Sequence, residues 1–299
     1  ALVSASTLHA ANDAAELIQV YYRELPAVGT LEEALADGAP VVWPEAEGNV
    51  ALDWEMGDAA AVDAAFARAA HVTRVDLGKN RIVVNSMEPS GAIGLFDNAT
   101  QRWELYAGTQ GSHPLRDTLA RKIFKVGPER IRVITPDVGG GFGMKMSLYP
   151  EYPTILFAAE TLGLPVKWIA ERGESFQADT HGRDLRSHVQ LAFDRDGRIL
   201  ALRIDTDFNL GAYATGWGPG IQTMIPMFVV GGVYKIGAIH NHVRGIFTNT
   251  MTVEAYRGAG RPEVAYLIER AMDLAARELG LGHDEIRLKN FIGPEEMPY

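Results

Sequence analysis

Apolar residues along this chain recur at two spacings, which divide it into helices and strands. Leu8 to Leu17 has helical spacing, and the run Ile18-Gln19-Val20-Tyr21-Tyr22 predicts a strand before Leu25-Pro26-Ala27-Val28 ends the unit. Gly29 to Gly57 holds acidic residues, Gly and Pro with weak periodicity and reads as a connecting segment. Asp58 is placed as the N-cap of an Ala-rich helix reaching Ala70. Alternation predicts strands at His71–Asp76, Ile82–Val84, Ala92–Phe96 and Trp103–Tyr106, and a helix over Ser112–Phe124. Ile131-Arg132-Val133-Ile134 reads as a buried strand, Tyr152–Leu162 as a helix, and Pro165–Ile169 as the strand that follows it. His188–Phe193 and Ile199–Asp207 alternate around Asp194-Arg195-Asp196-Gly197, a hairpin signal. Pro262 and Glu263 open a long helix whose apolar face comprises Leu267, Ile268, Ala271, Met272, Leu274, Ala275 and Leu279, with Gly280 at its C-cap. No internal repeat or low-complexity tract is visible.

Composition narrows the function classes. The 299 residues, 47% hydrophobic and 22% charged, suit a globular protein with a sizeable core. A formal net charge of −10 without any basic cluster longer than a pair argues against nucleic-acid and anionic-membrane surfaces. The longest strongly apolar runs, such as Met224–Val233, are too short to span a bilayer. There is no cysteine, so this polypeptide holds no disulfide, cysteine nucleophile, zinc–cysteine site or cysteine-ligated iron–sulfur cluster.

The candidate chemistry lies in loops. Gly139-Gly140-Gly141-Phe142-Gly143 sits between a strand and a helix, strips side chains from the turn and leaves backbone N–H groups bare for a bulky ligand. Phe142 would form one wall of such a site. The alternative is a tight turn that needs positive φ. The loop has neither the spacing of dinucleotide-binding turns nor the ending of a P-loop, because Met146 follows Lys145. In Ala255-Tyr256-Arg257-Gly258-Ala259-Gly260-Arg261-Pro262, two arginines precede a helix N-terminus, which suits an anion; a capping loop paired to surface carboxylates is the alternative. Gln110, in Gly108-Thr109-Gln110-Gly111, offers a donor and an acceptor that fit an oxo or carbonyl ligand, unless the segment is an ordinary strand-end turn. Glu88, in Met87-Glu88-Pro89, is either functional or a buried structural carboxylate, the second being favoured. His240 and His242 share a strand face, where structural roles are favoured over a metal pair, and no metal ligand is assigned.

Taken in order, Met87-Glu88-Pro89, Gly108-Thr109-Gln110, Gly139 to Lys145 and Ala255 to Glu263 resemble the molybdenum hydroxylase (xanthine dehydrogenase/aldehyde oxidase) family. The likeness is to its molybdopterin-binding large subunit, in particular to aerobic carbon monoxide dehydrogenase large-subunit-like chains. Asn12–Glu16 and Tyr22–Pro26 look like the end of that family's α/β hammerhead domain. The resemblance implies an α+β fold: residues 1–28 as the hammerhead end, 29–57 as a connector, and 58–299 as the first molybdopterin-binding α/β domain, the second such domain being absent.

The resemblance also implies roles. Gln110 would hydrogen-bond an oxygen ligand on molybdenum, and Gly140, Gly141, Phe142 and Gly143 would lie against the pterin and the metal. Arg257 would stand beside the substrate pocket, formed by Phe142, Gly258 and Ala259. Gln110 and Arg257 are thus the expected catalytic residues. The expected cofactor is molybdenum-molybdopterin in its dinucleotide form, held by the pterin dithiolene and not by protein side chains. The reaction would be water-derived hydroxylation of an aldehyde or N-heterocyclic carbon. Electrons would leave through [2Fe–2S] and FAD on partner subunits, in a cytoplasmic complex. The general-base glutamate is expected in the remaining molybdopterin-binding domain, so this chain alone would be inactive.

Departures from the pattern narrow the substrate. Gly258 stands where carbon monoxide dehydrogenases proper carry a cysteine. Met146 and Ala259 replace the glutamate and phenylalanine of purine-oxidising members, which disfavours xanthine. Two other readings stay open: a scaffold or assembly domain without its own cofactor, and a phosphate-cradling α/β enzyme.

Overall fold

A computed structural model describes residues 2–299, in two compact units. One comprises residues 2–26 with Val84–Asp179, the other Ala27–Val83 with Thr180–Tyr299.

The first unit carries a four-stranded sheet. Its strands, β3 (Gly91–Asp97), β4 (Arg102–Ala107), β5 (Ile131–Ile134) and β6 (Val166–Ile169), lie in the order β5-β4-β3-β6. β5 runs parallel to β4 and the other pairs are antiparallel. The helix Glu151–Leu162 covers this sheet, burying Tyr152, Ile155, Leu156, Ala158 and Ala159. It approaches so closely that a Cβ at Gly94 would stand 3.0 Å from the Ile155 carbonyl oxygen, and glycine at that strand position permits the contact. The expected 112–124 helix forms as Ser112–Thr118 and continues in a wider π-type turn over Leu119–Phe124. Phe124 and Phe96 close on the buried Trp103 ring at 4.8 and 5.1 Å.

The N-terminal helix spans Leu8–Glu16, where helical spacing placed it, with Thr7 accepting from the N–H of Ala10. The strand expected at Ile18–Tyr22 does not form. Its apolar side chains stay exposed and no neighbouring strand pairs with it, so alternation alone had nothing to satisfy the backbone.

The second unit carries five strands, β1 (Val50–Gly57), β2 (His71–Val83), β7 (His181–Phe193), β8 (Ile199–Gly211) and β9 (Ala238–Phe247), ordered β1-β9-β8-β7-β2. β1 arises inside the 29–57 stretch, whose weak periodicity gave no sign of a strand; it pairs antiparallel with β9. β2 fuses the two short strands expected at 71–76 and 82–84, and its last residue, Val83, lies opposite His181 in the ladder with β7. The 194–197 hairpin turn forms as its sequence indicates, with Gly197 at φ +79°.

The helix Arg261–Leu279 lies on one face of this sheet. Val264, Leu267, Ile268, Ala271, Met272, Ala275 and Ala276 pack on Leu77, Val189, Leu191, Leu202 and Ile204, while Leu274 is only half-buried. Gly280 ends the helix in the left-handed conformation. On the other face sits the helix Ala59–Ala67, capped by Asp58 accepting from the N–H of Ala61 at 2.9 Å. Its Val62 and Ala65 pack on Ala192 and Ala201.

Candidate functional site

The first unit brings Gln110 and the glycine-rich turn together. β4 delivers Gly108–Gly111, and β5 leads toward Gly139–Gly143. Gln110 Oε1 accepts from the backbone N–H of Gly143 at 2.8 Å. With the oxygen so engaged, the exposed amide offers its Nε2 donor outward. Side-chain loss at two of the glycines has a local cause. A Cβ at Gly141 would stand 2.5 Å from Gln110 Oε1, and one at Gly139 would stand 2.5 Å from Glu88 Cβ. Gly140 and Gly143 take φ of +102° and +107°, which only glycine adopts without strain. Phe142 takes φ +51°, a costly conformation for a bulky residue and one that clusters at functional sites. Its ring folds back toward Gly140 and is 45% exposed, as a ligand wall would be.

Two features of the turn are ones that a large polar ligand could use. The N–H groups of Gly140 and Gly141 meet no acceptor among the described residues. Ser86, beside Gly140, keeps a buried hydroxyl with no partner there either. Bare donors, an orphaned hydroxyl and an outward amide fit a pterin with oxygen ligands on its metal.

Beneath the turn lies a pair that the sequence did not single out. Lys145, 1% exposed, donates from Nζ to Glu88 Oε2 at 2.6 Å. The same oxygen accepts from the N–H of Gly139 at 2.8 Å. Glu88 is therefore ion-paired and half-exposed, not a buried carboxylate. The hydrogen bond from Lys145 holds its pKa below the ordinary glutamate range. Farther along, Asp179 and Glu151 shift the opposite way because burial disfavours their charged forms. Ser90 donates to Asp179 at 3.2 Å.

Arg257, Gly258 and Ala259 belong to the second unit. Gly258, Ala259 and Gly260 have φ of +96°, +43° and +85°, so the chain reverses sharply before the long helix. A Cβ at Gly258 would lie 2.4 Å from Pro262 Cγ. The loop rests on Arg183, a residue no local signal marks. Its guanidinium donates to the carbonyls of Tyr256 (3.2 Å) and Arg257 (2.8 Å), pairs with Glu263 Oε1 at 2.5 Å, and lies 4.8 Å from the Tyr256 ring centroid. Arg183 and Glu263 are 7% and 2% exposed. Lys79 also donates to Pro262 O at 2.9 Å, and burial lowers its pKa. Arg257 itself is exposed.

His240 and His242 face carboxylates of β1, at 3.2 Å from Glu55 and 2.7 Å from Asp53. Among the described residues, no group of three or more His, Asp or Glu is arranged to hold a metal ion. An open groove of about 740 Å³ on the sheet face away from the long helix is lined by Asp76, Arg186, His188, Asp205, His242 and Arg244. Its charges pair with one another or with neighbours, as in His188–Asp76 at 2.7 Å, and none of the anticipated site residues lines it. No helix among the described residues is long and apolar enough to cross a membrane.

The architecture is that of an α+β molybdopterin-binding protein. The family model described as "Molybdopterin cofactor-binding domain" matches residues 42–291. The chain is 34% identical to the carbon monoxide dehydrogenase large chain of Hydrogenophaga pseudoflava, over 100% of this chain and 39% of that one. It is 33% identical to the 6-hydroxypseudooxynicotine dehydrogenase complex subunit gamma of Paenarthrobacter nicotinovorans, over 97% and 36%. Among solved structures, quinoline 2-oxidoreductase from Pseudomonas putida 86 superposes with a TM-score of 0.91 at 36% identity, covering 99% of this chain and 37% of that one. The chain therefore belongs to the molybdenum hydroxylase family, through the molybdopterin-binding region of the large subunit. It spans well under half the length of these relatives.

Proposed function

We propose that this chain forms part of the cofactor-binding region of a molybdopterin-dependent hydroxylase acting on a small aldehyde or N-heterocycle. Residues 1–28 would close a hammerhead domain, 29–57 connect it, and 58–299 form the first molybdopterin-binding domain. The observation that carries the reading is the Gln110–Gly143 bond, which turns an amide donor outward beside the bare N–H groups of Gly140 and Gly141.

When bound, molybdenum-molybdopterin supplies the two-electron redox chemistry that water-derived hydroxylation requires. This chain's residues bind and orient. Gln110 would hydrogen-bond an oxygen ligand on the metal through Nε2, Gly140 and Gly141 would offer their N–H groups to the pterin, and Phe142 would wall the site. Gly143 acts by fixing Gln110, since its own N–H is engaged. Arg257 serves the substrate side, with Gly258 and Ala259 leaving room for the substrate. Gly258, held at positive φ against Pro262, offers no thiol at the position where carbon monoxide dehydrogenases proper carry cysteine, which argues against carbon monoxide as substrate. One relative is named for quinoline, an N-heterocycle, which favours that class here.

Residues 1–299 hold no cysteine to ligate a [2Fe–2S] cluster, and we assign the clusters and FAD to partner subunits. Relatives named as a large chain and a complex subunit support that arrangement. The dinucleotide form of the pterin, a general base outside residues 1–299 and a cytoplasmic location complete the proposal.

Metal and pterin analysis of the complete protein, purified with its partners, tests this, followed by turnover of quinoline-type heterocycles and aromatic aldehydes in ¹⁸O-labelled water. Molybdenum, pterin and labelled product are expected. A protein lacking both metal and pterin overturns the reading.

A further inference from the structure

We propose that Glu88 and Lys145 are positioning residues, a charged strut that sets the spacing between Gln110 and the glycine-rich turn. The proposal rests on the reading of that turn as the cofactor cradle.

Lys145 works at both of its ends. Its Nζ donates to Glu88 Oε2 at 2.6 Å, while its carbonyl accepts from the Gln110 N–H and from Thr109 Oγ1, each at 3.0 Å. Glu88 likewise grips the start of the turn twice, accepting from the Gly139 N–H at 2.8 Å and donating its own N–H to Gly139 O at 3.1 Å. Gln110 grips the end, through Gly143. The turn is thus held at both ends, and the two holders meet in one lysine.

Two glycines make room for the strut. A Cβ at Gly108 would stand 3.3 Å from Glu88 Oε2 and 3.6 Å from Lys145 Nζ, and one at Gly139 would collide with Glu88 Cβ. A buried ammonium is costly unless paired, so Lys145 favours the geometry in which it meets Glu88. Neither side chain needs to touch the cofactor. Their effect is carried by the direction of the Gln110 amide and by the shape of the turn.

The test uses the complete protein with its partners and the variants Lys145→Met, Glu88→Ala, Glu88→Gln and the Glu88→Ala/Lys145→Met double. Three quantities are read: molybdenum and pterin per chain, kcat against KM, and amide hydrogen exchange of peptides covering 108–111 and 139–145 in cofactor-free protein. The expected result is faster exchange in both peptides and a tenfold or greater loss of kcat or of bound pterin in Lys145→Met and Glu88→Ala, with KM little changed. The double variant should be no worse than Lys145→Met, because the two residues act as a unit. Glu88→Gln, whose amide oxygen can accept from both donors, should recover part of the loss, and it remains informative if Lys145→Met fails to fold. Wild-type exchange, cofactor content and kcat in folded Glu88→Ala overturn the proposal. If wild-type protein holds no molybdenum or pterin, the cradle reading fails on its own, and the exchange data still decide whether the strut orders the turn.

Discussion

Gln110 and Gly143 share one hydrogen bond, side-chain oxygen to backbone N–H at 2.8 Å, and it decides which end of the amide faces out. Glutamate at position 110 would still accept from Gly143 but would present an oxygen where the donor was. Gln110→Glu is expected to keep its bound pterin and to lose turnover by about 10²-fold, the scale of removing one oriented donor. Steady-state kinetics with metal content measured on the same sample checks this, and undiminished kcat rules out the role given to Nε2.

Gly141 lies against that same amide. Its missing Cβ would stand 2.5 Å from Gln110 Oε1 and 2.7 Å from Cδ. Gly141→Ala must therefore push Gln110 aside or deform the turn, at a cost of about 1–3 kcal/mol. Denaturant unfolding together with pterin content measures both effects. Gly163→Ala, where a Cβ would meet nothing within 4 Å but φ is +65°, isolates backbone strain from collision.

Two carboxylates of the first unit give opposite pH responses. Lys145 lowers the Glu88 pKa, so the strut's contribution is complete above the ordinary glutamate value of about 4.3 and fades as pH falls through the lowered one. Burial raises the Asp179 pKa, so its neutral form favours folding at low pH and that benefit is lost as pH rises through the raised value. Unfolding midpoints between pH 3 and 8 should show Glu88→Gln flattening the acid limb and Asp179→Asn flattening the alkaline one. Identical profiles for wild type and both variants would contradict these assignments.

Removing the guanidinium under the Tyr256–Gly260 loop strands a carboxylate. Arg183→Met leaves Glu263 buried, with Oε2 already lacking a partner, and is expected to cost about 3–5 kcal/mol. Adding Glu263→Gln should restore part of that, because the uncompensated charge is gone. Equilibrium unfolding of the single and double variants supplies the comparison.

Local signals in the sequence located what local physics fixes. Asp58 caps its helix, Gly197 turns its hairpin and Gly280 closes the long helix, each through backbone demands met within a few residues. The glycine-rich turn was visible for the same reason. What was not visible depends on distant partners. Arg183 is defined by Glu263, 80 positions away, and Lys145 by Glu88, 57 away. β1 became a strand because β9 presents an edge to it, whereas Ile18–Tyr22 found no such edge. Alternation reports that a segment could pair; only the assembled sheet determines whether it does.

Because Val83 and His181 stand opposite each other, the segment from 84 to 179 departs from the ladder and rejoins it at a single rung. On the ribosome, β2 must emerge and then wait, unpaired along that edge, until the whole intervening segment has been made. A short reverse turn between those two residues would close the same rung. The glycine-rich turn is thus encoded within a long excursion of the chain between two strands that are neighbours in the five-stranded sheet.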